Sequence, residues 1–343
     1  MTHSLARWSR WVGRLALLGV LGLWARPESH AAAPVVVKLG TVAPEGTTWY
    51  NALRSMADRW SQISGGRVAV KIYAGAVLGS EGAMVRKMRI GQLHAAAMTN
   101  LGILDIDPAP QVINTPMLIR SYEELDFVMG RMAPTFDARL LERGFVALNW
   151  GEAGWARLFS KKPVHKPADA SGVKIYTWDG DANAVEVFRQ AGFSPVVLAS
   201  TDVLPSLQSG LVEAFPSPPL GALSMQWFAL APHMLDVPWA PLVGGTVITR
   251  TMWDRIPAEY HAPFLQVARE TGEILRKDVR SQDRKAVAVM EKYGLQVVQV
   301  DAATRAQWES TARSLYPFLR TKVVPTEIFD ETVASVEAYR ATH

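Results

Sequence analysis

The run Val35 to Thr41 is apolar enough to predict an interior rather than an edge strand. After the loop from Val42 to Thr48 the period changes. Trp49, Leu53, Met56, Trp60 and Ile63 recur at the spacing of one helix face, closed by Gly65-Gly66. Val68, Val70 and Ile72 then alternate as a second strand. Glu81 to Ile90 reads as a helix ended by Gly91, and His94 to Met98 as a strand delivering Thr99 and Asn100 to its carboxyl end. Such strand ends are where α/β sheets bind ligands, although two polar residues there also suit a simple cap of the following turn.

The middle of the chain holds the clearest unit. Val173, Ile175 and Thr177 alternate against Lys174, Tyr176 and Trp178, and Gly172 and Gly192 bound the strand and its helix. With Pro195 to Leu198, a second helix and Gly210 to Phe215, this gives strand-helix-strand-helix-strand. Its strand ends put Tyr176 to Asp181 and Phe215 to Pro219 at a cleft mouth.

The flanking segments follow the same signals. Ser121-Tyr122-Glu123-Glu124 predicts a capped helix through Met132, and Pro134 predicts the start of another ending near Gly144. Phe145 to Trp150 predicts a strand entering Gly151 to Gly154, a permissive stretch suited to a crossover between domains. Trp155 to Ser160 alternates again, so Trp155 and Arg157 share a face. Pro219 to Leu230 predicts one apolar helix and Leu242 to Thr249 a strand with a second crossover at Gly244-Gly245. A helix from about Ala258 to Tyr293 would span about 50 Å, enough to brace two domains. Gly294, a strand Leu295 to Val300 and helices from Ala302 and Pro325 complete the chain.

At 343 residues with 49% apolar content, the chain exceeds one core and predicts two globular domains. Residues 1–33 read as a signal peptide: Arg7, Arg10 and Arg14, then apolar Leu15 to Trp24, then small residues that place cleavage near residues 31–33. That segment carries four arginines and one glutamate, so without it the formal charge falls from +4 to +1. The basic balance therefore belongs to the export signal, and a nucleic-acid partner loses its support. Membrane insertion of the mature chain is not expected either. The absence of Cys suits an oxidising exterior compartment and excludes thiolate chemistry.

Catalytic patterns are missing. There is no Gly-x-Ser-x-Gly elbow, His-Glu-x-x-His or phosphate-cradling loop, and His94, His165, His233, His261 and His343 lack metal-ligand spacing. Asp179 and Asp181 could pair, but a helix start explains them more simply. No catalytic residue, metal or cofactor is expected.

Two separated signatures resemble the solute-binding receptors of TRAP transporters (DctP type). One is Gly65-Gly66-Arg67-Val68 with Leu78-Gly79-Ser80-Glu81. The other is Pro167-Ala168-Asp169-Ala170-Ser171-Gly172-Val173-Lys174-Ile175-Tyr176 followed by Leu207-Gln208-Ser209-Gly210-Leu211-Val212-Glu213-Ala214. The resemblance implies an α/β, two-lobe periplasmic-binding-protein-like fold of type II kind, each lobe a mixed sheet flanked by helices, with a long helix bracing both. The expected division is 34–153 plus 242–283 for lobe I and 154–241 plus 284–343 for lobe II. It also implies a periplasmic receptor that is not an enzyme and delivers a small solute to a small and a large TRAP membrane subunit.

The chain departs from the family where Tyr176 stands in place of a carboxylate-clamping Arg. A second family Arg aligns with Ala156, one position from Arg157, and one position turns a strand side chain to the other face. Ser217 falls on a family Asn. Closure needs contacts from both lobes, which makes Glu45, Trp49, Thr99 and Asn100 the expected site residues on one and Trp155, Arg157, Tyr176, Trp178, Phe215 and Ser217 on the other. The expected solute is an organic acid with an apolar or aromatic portion; an uncharged ring stacked among Trp155, Tyr176 and Trp178 is the other possibility. The alternatives are a binding protein of an ATP-driven importer, a signalling receptor or, more remotely, a secreted hydrolase.

Overall fold

The computed structural model describes residues 34–179 and 181–343; the expected signal peptide, residues 1–33, lies outside the described residues. In chain order the strands are β1 (Val35–Thr41), β2 (Val68–Tyr73), β3 (Ala95–Met98), β4 (Phe145–Ser160), β5 (Lys174–Trp178), β6 (Ser194–Leu198), β7 (Ala214–Ser217), β8 (His233–Leu235), β9 (Ala240–Thr249) and β10 (Gln296–Val298). The helices are α1 (Thr48–Ile63), α2 (Glu81–Arg89), α3 (Asn100–Leu104), α4 (Tyr122–Glu142), α5 (Ala182–Gln190), α6 (Val203–Ser209), α7 (Pro219–Ser224), α8 (Arg250–Trp253), α9 (His261–Lys292), α10 (Ala302–Ser314), α11 (Tyr316–Phe318) and α12 (Thr326–Thr342).

The strands run in the order β2-β1-β3-β9-β4-β7-β5-β6, with β8 on β4 and β10 on β8. β1 pairs parallel with β2 and β3, as its apolar sequence requires of an interior strand. β9 then runs antiparallel to β3 and β4, making the sheet mixed. β4 is one continuous strand of 16 residues rather than two. Phe145 to Ala156 pair with β9 and Arg157 to Ser160 with β7, Arg157 facing Ser217 and Phe159 facing Phe215. Register shifts between Ala147 and Asn149 and between Glu152 and Gly154 mark bulges where its direction is adjusted.

Three elements depart from the sequence expectation. α4 runs unbroken through Pro134. A proline ring inside a helix presses on the carbonyl four residues earlier, and that residue is Gly130, beside which even a Cβ would meet nothing within 4 Å. The stretch 219–230 is α7 plus a separate turn at Trp227–Ala229, because Gln226 takes a left-handed conformation with φ 57°. Ile63, expected on the buried face of α1, is 41% exposed, whereas Leu53, Met56, Ala57 and Trp60 are buried.

α9 is 32 residues, about 48 Å at the standard rise. Its first half packs on α1, where Trp60 stacks on Phe264 at 4.3 Å and donates its indole N–H to the Phe264 carbonyl. Its last turns enter another apolar cluster, with Met290 among Phe159, Tyr176 and Phe215. α12 lies on α4, burying Ile328, Phe329 and Val336 against Val128, Met132 and Phe136. The end of the chain thus packs with its first part, where the expected division placed it in the second.

Candidate functional site

Three of the ten expected residues converge. β5 carries Tyr176 and Trp178 and β7 carries Phe215; Tyr176 lies 4.8 Å from Trp178 and 5.8 Å from Trp227, and Phe215 lies 5.3 Å from Trp227 and stacks on Phe159 at 5.0 Å. Tyr176 and Phe215 are fully buried, so they form the base of the cluster, and half-buried Trp178 is its outer edge. The Tyr176 hydroxyl is buried with no hydrogen-bond partner among the described residues. Burial first, then the charges of Asp179 and Asp202, push the phenol far up, so it is a neutral donor at any physiological pH.

Arg157 and Ser217 meet as register partners beside this cluster. Arg157 Nη1 donates to Asp236 Oδ1 at 2.9 Å, while its Nε is buried without a partner among the described residues. The Ser217 hydroxyl donates to the Pro218 carbonyl at 2.9 Å. Trp155 is buried in a different cluster, edge-on to Tyr122 at 5.8 Å.

On the first part of the chain, the Trp49 indole donates to the Glu152 carbonyl at 3.3 Å, bringing α1 to the middle of β4. Thr99 caps α3, and its amide and hydroxyl both donate to Glu81, at 2.9 and 2.8 Å. Asn100 exchanges bonds with Gln111. Thr99 approaches the crossing through Gly244, where a Cβ would stand 2.8 Å from the Thr99 Cα. Glu45 is an exposed turn residue apart from these groups. Asp181 caps α5, accepting from the Ala184 amide at 2.9 Å. A hollow of ≈ 200 Å³ between α4, β4 and α9, lined by Asp137, Asn149, Trp150 and Gly272 among others, takes none of the ten.

Sequence reasoning missed the polar residues that hold these pieces. Glu81 is a buried carboxylate accepting from the Thr99 amide, the Thr99 hydroxyl and the Gly102 amide; burial pushes it up against those donors. On α9, Arg280 grips Glu152 of β4 at 2.6 and 2.9 Å and Asp126 of α4 at 2.7 and 2.9 Å, its guanidinium 4.2 Å above the Tyr122 ring. Asp283, one turn on, accepts from the Leu220 amide at 3.0 Å. A signal was present: Asp283 lies on the helical stripe Val279, Asp283, Ala286, Met290, where a carboxylate is out of place unless it has a partner.

A mixed sheet flanked by helices, the 16-residue strand β4 paired with both β9 and β7, and the 32-residue helix α9 suit the class of solute-binding proteins. Residues 39–322 match the model of bacterial extracellular solute-binding protein, family 7 (DctP). The chain belongs to that family. It is 22% identical to the C4-dicarboxylate-binding periplasmic protein DctP of Rhodobacter capsulatus, over 95% of this chain and 97% of that one. It is 24% identical to the 2,3-diketo-L-gulonate-binding periplasmic protein YiaO of Escherichia coli, over 82% and 86%. The sugar acid binding protein DctPAm of Advenella mimigardefordensis, solved with galactonate, superposes with a TM-score of 0.83 at 16% identity, over 89% of this chain and 98% of that one. These relatives are binding proteins rather than enzymes.

Proposed function

We propose that this chain is the periplasmic receptor of a TRAP-type secondary transporter, exported by its signal peptide, which closes two lobes on a small organic solute. The lobes are 34–153 plus 242–283 and 154–241 plus 284–343, with α12 laid back on the first. The receptor then presents the solute to a small and a large membrane subunit. Among the described residues no helix is long and apolar enough to cross a membrane, which suits a receptor that needs such partners. The observation that carries the reading is the meeting of Tyr176 and Trp178 of β5 with Phe215 of β7 in one aromatic cluster, beside Arg157 and Ser217, in a member of this family.

The relatives named above bind organic acids, and an acid with a ring or apolar portion would place that portion on the aromatic wall. In that version Arg157 supplies the cation through its unpartnered Nε. A second version, an uncharged ring compound, draws on the engagement of Arg157 with Asp236 and on the tyrosine at the clamp position. A thermal-shift screen against acids, sugars and aromatic compounds tests the reading, since a ligand that binds only the folded form raises its melting temperature. Arg157→Ala then separates the versions. A loss of affinity of tenfold or more is expected for the acid, and little loss would favour the uncharged ring. Uptake of the identified solute should cease in cells lacking the two membrane subunits. Uptake that persists without them and requires ATP hydrolysis would point to the other importer class.

A further inference from the structure

We propose that Asp283 is a positioning residue that fastens the Ser217 turn to the bracing helix α9 and links closure of the protein to uptake of a proton. The inference rests on the receptor reading above, because it concerns the closing motion. One turn of α9 gathers four segments that are distant in sequence. Gln282 Oε1 accepts from the Thr48 hydroxyl at the start of α1 at 2.7 Å, and Arg280 holds Asp126 of α4 and Glu152 of β4. Asp283 Oδ1 accepts from the Leu220 amide at the start of α7, directly after Ser217 and Pro218. The strand crossing closes over the same atom. Gly154 has φ +109°, and a Cβ there would stand 3.0 Å from both Asp283 Oδ1 and Pro218 Cβ. One carboxylate thus touches the brace, the crossing strand and the turn that carries a site residue. Relative motion of those three parts must change its surroundings.

The charged and titratable groups that face it are Arg157 from β4, Tyr122 from α4 and Arg284 from its own helix; Glu152 and Arg280 act on Tyr122 beside it, and α7 supplies no charged side chain. Burial dominates and pushes Asp283 up to about 6, opposed by the Leu220 amide, Arg157, the Trp155 amide and Arg284. A solvated aspartate titrates near about 3.9. An open form that wets Asp283 therefore releases a proton between those values, and closing takes one up. Acidification from pH 7.5 to 5 should favour the closed form about tenfold. Burial also pushes Glu152 up, so that residue needs its own control.

The chain has no cysteine, so an introduced pair is unique. Val77→Cys and Leu211→Cys fall on exposed residues of the two proposed lobes. Spin-label distances in this protein, without solute, should show a short component that grows about tenfold relative to the long one between pH 7.5 and 5, the growth setting in as pH falls through 6. Asp283→Asn should abolish the change and Glu152→Gln should keep it. A distribution that ignores pH, or a change that survives Asp283→Asn, overturns the proposal. If Asp283→Asn does not fold, Arg157→Gln serves: removing a cation that favours the carboxylate should move the onset of the change to higher pH, and an unmoved onset overturns the proposal. Failure of the receptor reading is distinguishable, because it would appear as a thermal-shift screen in which no organic compound stabilises the protein.

Discussion

Tyr176 occupies the position where the family resemblance implies an arginine, and it is packed as a core residue whose hydroxyl has no partner among the described residues. An unmade hydrogen bond on a buried hydroxyl is costly. Tyr176→Phe should therefore leave the urea midpoint unchanged or raise stability by up to about 1 kcal/mol. A clear loss would show that the hydroxyl is satisfied. Asp283 supplies the pH-dependent counterpart. Its native value of about 6 lies above that of an unfolded aspartate, so its stabilising preference for the neutral form is complete below the unfolded value. It is lost as pH rises through 6, amounting to about 3 kcal/mol by pH 7.5. Asp283→Asn should accordingly unfold at higher urea than the unsubstituted protein at pH 7.5, with the gain shrinking toward zero at pH 4. Equal midpoints at pH 7.5 would contradict the burial of a charge there. Of the two residues, Tyr176 was legible in position but not in surroundings, since its edge-on neighbour Trp227 came from a stretch read as continuous helix. The role of Asp283 depends on the amide of Leu220, which lies 63 residues away in sequence and has no signature of its own.

Elements were legible wherever a face is buried, because burial enforces the period: β1, β2 and α9 form where their apolar residues predict, and α1 does so short of Ile63. β5 forms too, but without the predicted alternation, because both its faces are packed: Ile175, Tyr176 and Thr177 are all buried, Ile175 in one apolar cluster and Tyr176 in another. Failures came where a local signal met a tertiary exception. Pro134 reads as a helix start, yet the buried stripe Leu125, Val128, Met132, Phe136, Leu140 passes straight through it, and packing decides. Glycines were legible as permissive positions, but which of them faces a neighbour was not. Gly244 and Gly151 are opposite one another on β9 and β4. A Cβ at Gly244 would stand 2.1 Å from the Met98 carbonyl oxygen, whereas one at Gly151 would meet only the Leu275 side chain at 3.5 Å. Gly244→Ala should thus cost about 3 kcal/mol or more, or prevent folding, and Gly151→Ala should stay within about 1 kcal/mol. Urea unfolding of the pair checks this, and equal effects would refute the close approach.

On the scale of the whole molecule, the mixed, helix-flanked α/β architecture could be read from the order of strands and helices, with family membership resting on the motifs at Gly65 and Pro167. The candidate site was legible in part. Tyr176, Trp178 and Phe215 come together and Arg157 faces Ser217, but Thr99 and Asn100 spend their polar groups on Glu81 and Gln111, and Glu45 stands apart. Such allocations depend on which partners the fold brings near. A receptor's work consists of holding a solute and letting it go unchanged. The most direct test of that claim is native mass spectrometry of the purified protein mixed with a panel of small organic acids and ring compounds. The account predicts a one-to-one complex with at least one compound, released at its original mass. No complex with any compound, or a bound compound released with altered mass, would contradict it.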